Sequence, residues 1–88
     1  MSTNMKIEKL LKMLASIDNT EDFKALMEDL CTTKELENMA ERFYAAELLM
    51  EGKTYSQVME LSNISSATLS RVSRCVQYGN GYKNLIKD

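Results

Sequence analysis

The sequence predicts an all-α fold in a single domain. Apolar residues recur at helical spacing, helix-capping residues separate the apolar segments, and the 88 residues include no proline. The chain is 44% hydrophobic and contains seven methionines, which is more apolar surface than a small monomer easily buries. We therefore expect one helical domain over residues 1–88 that associates with a second copy of itself.

The N-terminal part predicts two helices. The first covers residues 4–17 and carries one apolar stripe, made of Ile7, Leu10, Leu11, Leu14 and Ile17. Asn19 or Thr20 can cap the second helix, which covers residues 21–30. The apolar side chains that this helix is expected to bury are Phe23, Leu26, Met27 and Leu30.

A longer third helix is predicted to end at Met50. A capping box at Thr32-Thr33-Lys34-Glu35 opens it, and Gly52 is placed to end it as a C-terminal cap. The inner stripe of this helix consists of Leu36, Met39, Ala40, Phe43, Ala46 and Met50. Tyr44, Leu48 and Leu49 widen the stripe, so we expect packing on two sides and assign residues 1–51 to dimerisation.

A helix-turn-helix is predicted between Thr54 and Val76. The capping box Thr54-Tyr55-Ser56-Gln57 opens a short helix, Ser62-Asn63-Ile64 breaks it, and Ser65 can cap a second helix to about Tyr78. Asn63 is expected to supply the positive φ of the turn, and Met59 stands where many such motifs have the Ala of a close helix contact. The residues expected between the two helices are Val58, Leu61, Ile64, Leu69 and Val72.

The C-terminal segment is predicted to add a short element. Gly79-Asn80-Gly81 should stop the preceding helix, and residues 82–87 should form a last turn or two, within a segment that spans residues 79–88.

Charge is distributed unevenly along the chain. Residues 1–51 carry a net charge of −5 and residues 52–88 a net charge of +3, and no acidic residue occurs between Glu60 and Asp88. The second helix of the motif begins with small and hydroxyl side chains, which suit phosphate oxygens and base edges. We therefore predict that duplex DNA meets this part, at Ser56, Ser65, Ser66, Ala67, Thr68, Ser70, Arg71 and Arg74.

Two alternatives stay open at this point. The segment could be a helical hairpin with a solvated basic face, in which Arg71 pairs with a carboxylate of the acidic part. It could also be a protein-interaction module that does not bind DNA. Salt-dependent binding to duplex DNA separates these alternatives from a DNA-binding protein.

Several other classes of protein do not fit the sequence. Without histidine, Cys75 would lack the usual base partner of a nucleophile, so we predict that the chain is not an enzyme. Cys31 and Cys75 form no CxxC pair, and we predict neither a metal site nor any cofactor. The sequence has no apolar run of membrane-spanning length and no signal peptide, so we expect a cytoplasmic protein.

The stretch from Leu30 to Lys87 resembles the Trp repressor family, and within it the YerC/YecD branch. The matching segments are LCTTKELENMAERFYAAELLMEGKTY and SSATLSRVSRCVQYGNGY. The resemblance implies six helices per chain, an intertwined dimer, and transcriptional regulation by repression. It also implies that two helix-turn-helix units dock in the major groove about 34 Å apart.

In that family, tryptophan binds between the third helix, which is central in the fold, and the second helix of the helix-turn-helix, which is the reading helix. The resemblance implies that Arg42 lies along the indole ring, Arg71 pairs with the ligand carboxylate, and Thr32 lies in the loop that receives the amino group. This sequence departs from the family at two positions, with Val72 in place of Gly and Cys75 in place of Ser. We therefore expect that the effector, if there is one, is a small molecule other than tryptophan.

Overall fold

The computed structural model describes residues 1–86 and confirms the all-α prediction, because this range contains helices and no strand. The six helices are α1 (Thr3–Ser16), α2 (Thr20–Leu30), α3 (Thr33–Met50), α4 (Tyr55–Leu61), α5 (Ser66–Tyr78) and α6 (Gly81–Leu85). The chain divides into two compact units, Met1–Thr33 and Lys34–Asp88.

Hydrogen-bonded side-chain caps set the starts of α1, α2, α4 and α5. Asn19 Oδ1 accepts the N–H of Asp22 at 2.8 Å, and Thr54 and Gln57 form the predicted reciprocal capping box. Ser65 caps α5 as predicted. The sequence placed the start of the first helix at residue 4, but Ser2 Oγ accepts the N–H of Met5 at 3.2 Å, so α1 begins at Thr3.

Gly52 ends the central helix as predicted. Its φ of +93° lies in the left-handed region, where glycine has no Cβ penalty. The N–H of Gly52 donates to Leu49 O at 3.0 Å, and the N–H of Lys53 donates to Leu48 O at 3.1 Å. This pair of bonds is a Schellman motif, which satisfies carbonyls at the end of α3.

The last helix begins earlier than the sequence predicted. Gly79 is the C-terminal cap of α5, whereas Gly81 is the first residue of α6 rather than part of the break. A Cβ at Gly79 would lie 2.7 Å from Cys75 O, so the end of α5 requires glycine there. The predicted segment extended to Lys87, which lies outside the described residues.

The first unit buries no apolar side chain within one chain. Leu14 and Ile17 are half-buried, while the rest of the α1 stripe is exposed. The prediction that α2 buries its apolar face is wrong for the single chain, since Phe23 and Leu30 are exposed and only Leu26 and Met27 are half-buried. Two short helices offer too little surface to cover both apolar faces.

The second unit contains the hydrophobic core. Its six buried apolar residues come from three helices and are Ala45, Ala46, Leu48, Val58, Leu69 and Val72. Partly buried side chains pack against this cluster from the turn and the C-terminal segment, among them Ile64, Tyr82 and Ile86. The core therefore joins the central helix to both helices of the helix-turn-helix.

The prediction that the inner stripe of α3 faces the core is wrong for most of its residues. Of its members only Ala46 is buried, whereas Met39, Ala40 and Phe43 are exposed, Phe43 by 50%. The core uses the neighbouring face at Ala45 and Leu48 instead. Because the helix has two apolar faces and the single chain covers one, the other remains accessible.

The contact between α4 and α5 also differs from the prediction. Val58 is fully buried, whereas Leu61, which was predicted to lie between the two helices, is 54% exposed and does not belong to the core. The residue one helical turn after Val58 is Ser62, which is buried and donates its hydroxyl to Val58 O at 2.6 Å. Leu61 is rotated about 100° away from Ser62 and therefore points to solvent.

Asn63 does not adopt a positive φ, because no residue other than glycine does so within the described range. Ser62 and Ser65 flank the turn in extended conformation, with ψ values of 158° and 161°. An extended path connects the helices without a left-handed residue.

Candidate nucleic-acid interface

Helix α5 presents two contrasting faces. Leu69, Val72 and Ser73 are buried. The opposite face is exposed and carries five of the predicted DNA-binding residues, which are Ser66, Ala67, Ser70, Arg71 and Arg74. Of the other predicted contacts, Ser65 is exposed at the N-cap, Thr68 is half-buried, and Ser56 is exposed in α4. We call the five exposed α5 residues the reading face.

Side chains at the start of α5 hold its first turn. Ser65 Oγ accepts the N–H of Thr68 at 3.2 Å and donates its proton to Thr68 Oγ1 at 3.0 Å. The Thr68 hydroxyl acts as an acceptor in this bond, so its own proton is available to another acceptor. Ser66 and Ala67 are small and exposed beside this cap, which lets a ligand approach the helix end closely.

The turn before α5 is bonded to the central helix. The N–H of Asn63 donates to Glu41 Oε2 at 2.8 Å, across 22 residues of sequence. In the sequence, Glu41 is one of the acidic residues of positions 1–51 and belongs to no predicted site. Its position four residues before Ala45 places it on the face of α3 that packs toward the core, and this helical phase is the signal that could have identified it.

A polar cleft of about 180 Å³ lies beside this bond. It brings Arg42, a predicted ligand-binding residue, together with Ser65 and Thr68, which are predicted DNA contacts. The lining residues of the polar cleft are Asn38, Arg42, Asn63, Ile64, Ser65 and Thr68. The cleft therefore connects the central helix to the N-terminal end of the reading helix.

The other residues of the predicted ligand pocket lie in different surroundings. Val72 is 2% exposed and belongs to the hydrophobic core, and Arg71 is exposed on the reading face. Cys75 lines a separate apolar groove of about 460 Å³ with Phe43, Tyr82 and Leu85. Thr32 is an exposed residue of the first unit. In the second unit, Arg42 and Cys75 thus line two different recesses.

The residues that the structure describes contain no group of three or more His, Cys, Asp or Glu side chains that could hold a metal ion. None of the described helices is long and apolar enough to cross a membrane.

The fold and the arrangement of α4 and α5 define the class as an all-α helix-turn-helix protein. The profile of the Trp repressor protein family matches residues 5–88. The chain therefore belongs to the Trp repressor family.

Comparisons with individual proteins agree with this assignment. The uncharacterized protein YerC of Bacillus subtilis strain 168 is 36% identical over 75 residues, which cover 85% of this chain and 72% of YerC. A TrpR-like protein from Eubacterium eligens ATCC 27750 superimposes with a TM-score of 0.86 at 33% identity, over 92% of this chain and 84% of that one. The crystal structure of a candidate Trp repressor from Staphylococcus aureus gives a TM-score of 0.83 at 30% identity, over 90% of this chain and 80% of that one.

Proposed function

We propose that the protein is a sequence-specific DNA-binding regulator of transcription that acts as a dimer and represses its targets. The observation that carries this proposal is the reading face of α5. Its two arginines and two serines project from a helix whose opposite side is anchored in the core by Leu69 and Val72. Membership of the Trp repressor family supports the same function.

The dimensions of α5 suit the major groove of DNA. Its 13 residues correspond to about 20 Å of helix at about 1.5 Å per residue. The major groove is about 12 Å wide and admits one helix. The small residues Ser66 and Ala67 would approach base edges, with Ala67 able to contact a thymine methyl group, while Arg71 and Arg74 would reach phosphates or guanine.

The surface of the single chain supports a dimer. Within the first unit Ile7, Leu10 and Leu11 of the α1 stripe are exposed, Leu11 by 56%. Within the second unit Met39 and Phe43 of α3 and Leu85 of α6 are exposed. Apolar areas of this kind on separate helices mark an association surface. A second copy with the same faces would cover them, as the intertwined dimer of the family implies.

The proposed ligand is duplex DNA, and we propose that the protein acts in the cytoplasm. We propose no catalytic role, because the reading face carries neither a nucleophile paired with a base nor a pair of carboxylates. The proposal includes a small-molecule effector only if that molecule is not tryptophan. Val72 supports this part, since its buried side chain contributes to the core.

Titration of duplex DNA at several salt concentrations tests the proposed function. A protein that neutralises phosphates loses affinity linearly in log[salt], with a slope of about −0.9 per phosphate contacted. We expect a steep slope and a preference for one duplex sequence over another. Salt-independent binding, or no binding to any duplex, would favour the alternative of a protein-interaction module.

A further inference from the structure

The turn of the helix-turn-helix is fixed to the central helix by a bond between Glu41 and Asn63. The N–H of Asn63 donates to Glu41 Oε2 at 2.8 Å. The bond spans 22 residues, whereas the capping bonds of Thr54 and Ser65 join residues three apart. It therefore contributes to tertiary structure, in contrast to the local caps.

The Asn63 amide needs a partner because α4 ends immediately before it. The N–H of Ser62 donates to Val58 O at 2.8 Å, which is the last bond of this helix. The chain then turns into extended backbone at Ser62, with a ψ of 158°. The following amide has no acceptor within α4. Glu41 supplies one, and an ionised acceptor makes a stronger bond than a carbonyl group does.

The position of Asn63 determines where the reading helix begins. Asn63 lies two residues before Ser65, the N-cap of α5. Both residues line the polar cleft together with Arg42, the neighbour of Glu41 in sequence. Side chains that recognise a ligand have to be held within about 0.5 Å of the positions from which they bind it. A bond that holds the turn against α3 therefore holds the N-terminal end of the reading face.

We propose that Glu41 is a positioning residue for sequence-specific DNA binding. Its carboxylate acts through the Asn63 amide and sets the placement of Ser66 and Ala67 relative to the central helix. The inference rests on the proposed function and deepens it. A carboxylate close to a DNA-facing turn also repels phosphates, so the charge and the hydrogen bond have opposite effects on DNA affinity.

Two conservative variants separate the charge of Glu41 from its hydrogen bond. Glu41→Gln removes the charge but keeps a carbonyl acceptor at the same reach. Glu41→Asp keeps the charge, but its side chain is one methylene shorter and its oxygen falls short of the Asn63 amide. Glu37→Gln and Glu37→Asp serve as controls, because Glu37 is an exposed carboxylate one turn earlier on the same helix.

The unsubstituted protein, called the parent, first selects its preferred duplex from a random library. Selectivity is then the affinity for this preferred duplex divided by the affinity for an unrelated duplex of equal length. We expect Glu41→Asp to lower selectivity about tenfold, as loss of a hydrogen bond to a charged group does. Glu41→Gln should remain within about threefold of the parent. Both Glu37 variants should match the parent.

Amide hydrogen exchange gives an independent readout. The Asn63 amide should exchange faster in Glu41→Asp than in the parent, while the amides of Leu69 and Val72 keep their protection. This pattern shows that the turn is released in a folded protein. Equal exchange of Asn63 in the parent and Glu41→Asp would overturn the proposal, whatever the binding data show.

The binding results distinguish this proposal from the function on which it rests. If Glu41→Asp keeps its selectivity, the bond to Asn63 is not needed and the positioning role is wrong. If only Glu41→Gln changes affinity, Glu41 acts through its charge alone and the positioning role is again wrong. If the parent enriches no duplex, the proposed function fails and this inference fails with it. That outcome is seen with the parent alone, before any variant is compared.

Discussion

Ser65 and Thr68 are bonded to each other twice at the first turn of α5. Their hydroxyl oxygens lie 3.0 Å apart, and Ser65 Oγ also accepts the Thr68 N–H at 3.2 Å. These bonds satisfy a backbone amide that would otherwise lack a partner at the helix start. They also fix the end of the helix that we propose to enter the DNA groove.

Removing this cap should destabilise the protein. Ser65→Ala should lower the free energy of unfolding by about 1 kcal/mol, as loss of a serine N-cap typically does. Ser65→Asp should preserve stability, because aspartate caps helices equally well, but it should weaken DNA binding by adding a negative charge beside the phosphates. Urea unfolding and duplex titration measure the two effects, and Thr54→Ser, which keeps the cap of α4, is the control. Unchanged DNA affinity in a folded Ser65→Asp protein would contradict the placement of this helix end.

The two arginines of the reading face should contribute to DNA affinity. Arg71→Ala and Arg74→Ala should each weaken binding, and a variant that loses a phosphate contact should reduce the salt slope by about 0.9. Glu8→Gln and Asp18→Asn change charges in the first unit and should have little effect. If both arginine variants bind as tightly as the parent across a salt titration, α5 does not read DNA.

The elements and their caps could be predicted from the sequence because they depend on local signals. The capping box at Thr54, the cap at Ser65 and the C-terminal Gly52 each involve residues within about one turn of the helix end. Helix boundaries depend on these few side chains, so their positions differ by only one or two residues from the prediction.

The choice between the two apolar faces of α3 could not be predicted in the same way. Phe43 and Leu48 both satisfy helical periodicity, yet only Leu48 is buried, because burial depends on what packs against the helix. Helical spacing alone also assigns Leu61 to the core, although only Val58 of α4 and its C-cap Ser62 are buried there. The bond between Glu41 and Asn63 joins positions 22 residues apart. Helical phase places Glu41 on the core side of α3, but it does not identify Asn63 as the partner.

Association through the exposed apolar residues should be sensitive to charge. Leu11→Glu should convert a dimer into monomers or prevent folding, because it would bury an unpaired carboxylate in the interface. Lys12→Glu, at the next position, should have little effect. Deleting residues 1–17 should cost folding itself. Sedimentation and circular dichroism measure these outcomes, and a folded monomeric protein lacking residues 1–17 would contradict an obligate dimer.

L-Tryptophan should not act as the effector. The Val72 side chain is buried in the core, and a β-branched residue cannot easily swing away from an indole ring. Overpacking a close-fitting site costs about 1–3 kcal/mol, and the cysteine at position 75 weakens a hydrogen bond by roughly a further 1 kcal/mol. Together these lower affinity about 30- to 1,000-fold. Calorimetry with L-tryptophan, with L-leucine as control, should show no micromolar binding. Micromolar heat specific to tryptophan would contradict this prediction.

Selection of binding sites from random duplexes by the parent protein is the most direct test of the central claim, that the reading face of α5 binds DNA sequence-specifically in a dimer. We predict enrichment of a palindrome whose half-sites lie about one helical turn apart, since two reading helices related by a twofold axis dock at that spacing. Enrichment of no sequence, or of one without twofold symmetry, would contradict the claim.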